Sequence, residues 1–128
     1  MIRTFTVFTE NIDDPDMAAA EIRDQIQKGP GFLKNTVGII ACHYEFVLSG
    51  AAQAVCSGLP FEVVGTISSV QAINEAQGTL LLTILVLTSD EVDFKTVCTD
   101  SLKEDPERVI AEAYTRTAGG EPPALIFA

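Results

Sequence analysis

The sequence predicts an α/β fold: a mixed, mostly covered β-sheet with packed helices, a βαβ start and then a β-hairpin. Three observations carry this. Strand-like runs alternate with segments whose apolar residues recur at helical spacing. Two helix starts share the same punctuation, Asp14-Pro15 and Asp105-Pro106. Two further strand-like runs, Thr79–Thr88 and Val92–Cys98, are separated only by a short turn.

Residues 2–9 alternate Ile2, Thr4 and Thr6 against Phe5 and Val7, the pattern of a strand. Asp14 is a good helix N-cap, and Pro15 fits the first helical position, where its missing N–H costs nothing. Ala18, Ala19, Ile22 and Ile26 then repeat on one helical face until Lys28-Gly29-Pro30 stops the helix. Thr36–Cys42 is a continuous apolar run, as in a strand covered on both faces, and His43-Tyr44-Glu45 reads as the turn that leaves it. Val47, Ala51, Ala54 and Val55 mark a second helix, closed by Gly58 and Pro60, and Phe61–Gly65 is the next strand. Ala72–Gly78 is polar enough for a turn or loop, and Thr79–Thr88 reads as a central strand. Ser89-Asp90 turns the chain into Val92, Phe94, Thr96 and Cys98, which alternate as another strand. Glu104–Thr117 is the last helix, with Val109, Ile110, Ala113 and Tyr114 as its apolar stripe. Ala124–Ala128 begins a strand, so the sequence is expected to be a single domain that forms the front portion of a larger one.

Composition narrows the function. The 128 residues suit one domain, and 47% hydrophobic content provides a core without disulfide or metal staples. The longest apolar stretch, Leu80–Leu87, is interrupted by Thr83 and falls short of the about 18 residues of a membrane span. The N-terminal residues alternate like a strand and lack the pattern of a signal peptide, so a cytoplasmic protein is expected. A net charge of −10, with scattered basic residues, argues against nucleic acid and against an anionic membrane surface. Cys42, Cys56 and Cys98 form neither a disulfide framework nor a metal signature, and the single histidine, His43, excludes a His-rich metal site. No cofactor is expected. Both the dinucleotide and the P-loop glycine motifs are missing.

Two places could carry chemistry. Cys42 and His43 are adjacent, yet neighbours on a strand point to opposite faces, so a buried thiol beside a capping or exposed imidazole is the simpler reading than a nucleophile–base pair. The second place is the segment Gly65–Ser69. Open α/β sheets bind ligands beyond the carboxyl ends of parallel strands. If the strands ending at Cys42 and Gly65 are parallel neighbours, His43, Tyr44, Thr66, Ser68 and Ser69 face one crevice and offer groups to a small polar ligand. The competing reading is a simple turn in which the serines satisfy backbone groups. Ser49-Gly50 lacks a nucleophile elbow, and the carboxylates at Asp13, Asp14, Asp16, Glu104 and Asp105 read as charges at helix starts.

Several segments taken in order carry a family likeness: Asp16-Met-Ala-Ala-Ala-Glu-Ile, Val37-Gly-Ile-Ile-Ala-Cys, Ser49-Gly-Ala-Ala-Gln-Ala-Val, Leu59-Pro-Phe-Glu-Val-Val-Gly-Thr and Leu87-Thr-Ser-Asp-Glu-Val-Asp-Phe. Together they resemble the N-terminal region of the FIST domain, a family of intracellular sensory modules, over most of residues 15–100. The likeness centres on Val63-Val-Gly-Thr, and it implies that Gly65, Thr66 and Ser68 occupy the family's turn after the strand. It further implies a non-enzymatic domain that binds a small ligand of the amino-acid type and passes a signal to a protein partner. The sequence departs from the family where Ile67-Ser68-Ser69 lacks a further glycine and where the C-terminal FIST portion is missing. Two other readings stand beside the sensor: an assembly module, homo-oligomers included, that uses the edge of the last strand, and a small enzyme that uses Cys42 or His43.

Overall fold

A computed structural model describes residues 1–68, 71–72, 77–78, 80–99 and 101–126. The chain divides into two compact units, Met1–Phe94 and Lys95–Ala128.

The first unit is a mixed α/β sheet. Its elements are β1 (Ile2–Thr9), α1 (Pro15–Lys28), β2 (Asn35–Cys42), α2 (Tyr44–Leu48), α3 (Ala51–Ser57), β3 (Glu62–Ile67), the short β4 (Gln71–Ala72) and β5 (Gln77–Gly78), and β6 (Leu82–Ser89). The main sheet has the order β1-β6-β2-β3. β6 runs antiparallel to both β1 and β2, whereas β3 pairs with β2 in parallel. It follows that β1, β2 and β3 all point the same way. β4 and β5 form a separate antiparallel pair, Gln71 with Gly78 and Ala72 with Gln77.

The sequence dictates most of this locally. Asp14 caps α1 by accepting a hydrogen bond from the Met17 N–H at 2.9 Å, with Pro15 behind it in the first turn. Ala18, Ala19 and Ile22 form the buried stripe of α1, and together with Phe46, Ala51 and Val55 they cover one sheet face made of Val7, Cys42, Leu82, Ile84 and Val86. Buried polar groups on this face are paired. Thr88, fully buried, accepts from the Leu33 N–H at 2.7 Å and shares a hydrogen bond with the Thr36 hydroxyl at 2.8 Å.

Three expectations are corrected. The helix expected over residues 47–58 is two helices, because Gly50 sits at φ 85°, a left-handed conformation that no helix interior accepts. The strand expected over Val92–Cys98 does not form, so it is no hairpin partner for β6. Both edges of β6 are already filled by β1 and β2, and no ladder position remains for a following strand. The Ser89 hydroxyl accepts from the Glu91 and Val92 N–H groups, and the Asn35 amide donates to the Val92 carbonyl at 3.0 Å, which turns the chain out of the sheet. An antiparallel pair does follow the βαβ unit, but at β4 and β5; residues 73–76 and Thr79 lie outside the described residues. Finally, the tail is not a strand as far as Ile126, which, like Leu125, is exposed. With it goes the sheet edge expected there.

In the second unit, α4 (Pro106–Ala118) has Asp105 as its N-cap and Val109 and Ala113 as its buried residues. Arg108 pairs with Glu112 at 2.9 Å, and Gly119 ends the helix in the left-handed region. Among the described residues, no helix is long and apolar enough to cross a membrane.

Candidate functional site: the carboxyl end of the sheet

β2 and β3 run side by side in the same direction, as the sequence predicts, with Ile40 opposite Gly65 and Cys42 opposite Ile67. The end of β2 is tied on both sides. The Ser68 N–H donates to the Cys42 carbonyl at 2.9 Å, and the His43 N–H donates to the Leu81 carbonyl at 3.2 Å. His43 and Ser68 therefore flank one strand end.

The remaining predicted residues are arranged differently. Gly65 and Thr66 are not a turn; they lie within β3, which continues to Ile67. Because side chains alternate along a strand, Thr66 lies on the opposite sheet face from Gly65 and Ile67, and its hydroxyl donates to the Ile67 carbonyl at 3.3 Å. His43 is the N-cap of α2 rather than part of a turn: its Nδ1 accepts from the Glu45 N–H at 3.4 Å, and its ring lies 4.5 Å from that of Tyr44. Ser69 lies outside the described residues.

Cys42 and His43 do not face one another. Cys42 is 4% exposed and packs in the core beneath the helices, while the His43 side chain turns toward Glu45 and Tyr44. Burial pushes the Cys42 thiol up, with the neighbouring Cys56 adding to the effect, and burial likewise raises Cys56. A raised thiol is protonated at neutral pH and is a poor nucleophile. In a timed reaction with a thiol-selective reagent at pH 7.5, the exposed Cys98 is expected to react fast and Cys42 and Cys56 only slowly until urea is added. The sign for stability follows. The folded chain holds protons on both thiols that the unfolded chain releases, so this contribution is intact below the ordinary thiol value of 9.0 and declines as pH rises above it. A flat urea midpoint between pH 8 and pH 10 would contradict it.

Two hollows at this end of the sheet lie at the exit of β1. One, of about 450 Å³, is lined by Glu10–Asp14 together with Gly78, Leu80 and Leu81. A second, of about 420 Å³, runs from Phe8–Asn11 to Glu21, Asp24 and Gln25 on α1. Neither is lined by the residues the sequence singled out. The wall between β1 and α1 is held firmly. Thr9, 1% exposed, donates to Glu21 Oε2 at 2.6 Å, Asn11 Nδ2 donates to Oε1 at 2.7 Å, and the Asn11 N–H donates to the Thr9 hydroxyl at 3.1 Å. Gln25 mimics a strand residue, accepting from the Phe8 N–H at 3.0 Å and donating to the Phe8 carbonyl at 2.6 Å. Glu10, Asp13 and Asp14 give the larger hollow a negative lining, suited to cationic or donor-rich groups. Thr9-Glu10-Asn11 leaves a strand that the sequence did predict, and that strand points the same way as β2 and β3 although its one ladder, to β6, is antiparallel.

These features define an open α/β unit with two hollows at the exit of β1, a strand that points the same way as the parallel pair β2 and β3 but is itself paired only with the antiparallel β6. In comparisons with known proteins, no family model, curated protein or solved structure matches the chain.

Proposed function

We propose that this chain is a non-enzymatic, cytoplasmic sensory domain of the FIST type, which binds a small polar ligand of the amino-acid class and signals to a protein partner. The observation that carries the reading is the hollow of about 450 Å³ at the end of the sheet where β1, β2 and β3 all exit. That size suits a small molecule, and strand exits are where open α/β sheets take ligands. The carboxylates of Glu10, Asp13 and Asp14 receive the ligand's ammonium group. The signal arises because the ligand holds the β1 exit against the Leu80–Leu81 segment, favouring one arrangement over another by its difference in affinity.

A thermal-shift screen of the amino acids and small metabolites tests the reading. A ligand present at one hundred times its dissociation constant stabilises by about 2.7 kcal/mol, which for a domain of this size raises the melting temperature by roughly 10 °C or more. The shift is expected to shrink in Asp13→Asn, which removes one charge from the lining and leaves the core untouched. If no compound moves the transition, or if Asp13→Asn leaves a shift unchanged, the reading fails.

A further inference from the structure

β1 is an edge strand, and among the described residues its outer edge is hydrogen-bonded only at Phe8. Each residue of an antiparallel strand directs its N–H and its C=O to the same side. Gln25 binds both backbone groups of Phe8, so those groups point away from β6. The two-residue repeat then directs the N–H and C=O groups of Ile2, Thr4 and Thr6 outward as well. Among the described residues no hydrogen bond reaches them, and all three residues are exposed, Ile2 at 57%. A bare strand edge of this kind is a template for another strand.

The chemistry of the edge selects the partner. Residues 2–9 contain no acidic group in a chain of net charge −10, so the approach of a second copy meets the least repulsion along this strand. We propose that two copies associate through antiparallel β1–β1 pairing about a two-fold axis at Thr4, which joins their sheets into one. In this register Thr4 faces its own counterpart, Ile2 faces Thr6 of the second copy, and each such pair exchanges both backbone hydrogen bonds. Threonine–threonine and β-branched pairs are favourable cross-strand neighbours. Arg3 lies beside Phe5 of the second copy, a cation against an aromatic ring.

The neighbouring registers that keep the outward groups paired are less favourable. A shift one way sets Arg3 against Arg3 of the second copy, like charge on like charge. A shift the other way loses both Ile2–Phe8 pairs, because the Gln25 amide already occupies the Phe8 backbone, and leaves only the two Thr4–Thr6 pairs. Gln25 thus sets the register as well as sealing the end of the edge.

Sedimentation velocity on the full chain from micromolar to near-millimolar concentration tests this. The 13.7 kDa chain is expected to pass to twice that mass as concentration rises, and sooner in high salt, which screens the net charge. Thr4→Lys places two ammonium groups across the axis and Thr4→Pro removes the outward N–H without touching the β1–β6 ladder. Each is expected to raise the dissociation constant at least tenfold. Circular dichroism should match the parent for Thr4→Lys, whose side chain is exposed, and this keeps the test valid if Thr4→Pro folds poorly. A chain that stays monomeric at every concentration and salt overturns the proposal, as does a dimer that a well-folded Thr4→Lys leaves unchanged.

Discussion

Phe46→Ala is expected to lower stability by about 3–5 kcal/mol, the usual cost of removing a buried phenylalanine ring. Phe46 has no exposed surface and belongs to the core beneath α1 and α3. Its position makes the loss more than a cavity. α2 has five residues, too few to be helical by intrinsic preference, so tertiary anchoring holds it in place. Phe46 is its one buried residue, and His43 and Tyr44 are positioned by the same short helix. Urea denaturation should therefore show a large fall in midpoint. Leu48→Ala, two residues on at a site 77% exposed, should move the midpoint by about 0.5 kcal/mol or less. Equal effects from the two substitutions would mean that α2 is not anchored as described.

Gly65→Ala is expected to be the second most damaging single change. A Cβ at this position would run into the Ile40 carbonyl oxygen and lie 2.6 Å from Ile40 Cγ2. The first of these atoms is backbone, so no rotamer change relieves the clash; β3 must move away from β2. Overpacking of this kind costs about 1–3 kcal/mol, and a rigid backbone neighbour places Gly65 at the upper end. The Ser68–Cys42 hydrogen bond, two to three residues on, should open with the ladder. Hydrogen exchange at the Ser68 amide, measured beside the urea midpoint, reads both effects. Thr66→Ala, at the exposed neighbour on the other sheet face, is the control and should be nearly silent. A Gly65→Ala protein as stable as the parent, with the same protection at Ser68, would show that the two strands are not so closely apposed.

The parts of the fold that were legible in the sequence are those determined by neighbours in the chain. The alternation of Ile2–Thr9 and the Asp14-Pro15 cap mark β1 and the start of α1 to the residue. The interior place of β6 was legible from its long, mostly apolar run. Which strands flank it was not, since periodicity carries no information about partners distant in sequence. That gap explains the missing strand at Val92–Cys98: its alternation is real, but β1 and β2 already occupy both sides of β6. Gly50 lay unmarked within the expected helix, because its positive φ, and so the division of the helix, depends on the path of the surrounding chain. At the candidate site, the parallel adjacency of β2 and β3 was inferred correctly. The hollow at β1 was missed because Asp13 and Asp14 were accounted for as helix-start charges and Glu10 was given no role, whereas only Asp14 caps through its side chain.

The position of β6 also bears on how the protein is made. β1 and β2 share no hydrogen bond with one another; β1 is joined only to β6, which is not complete until residue 89. While the ribosome is still adding residues before Leu82, the emerging chain can close α1 and bring β2 to β3, but β1 has no strand to receive it. Folding of the first strand must therefore wait for the last strand of the sheet, a long loop closure of the kind that slows folding. Throughout that interval both edges of β1 are open, and the nascent chain is most vulnerable to pairing with the wrong neighbour.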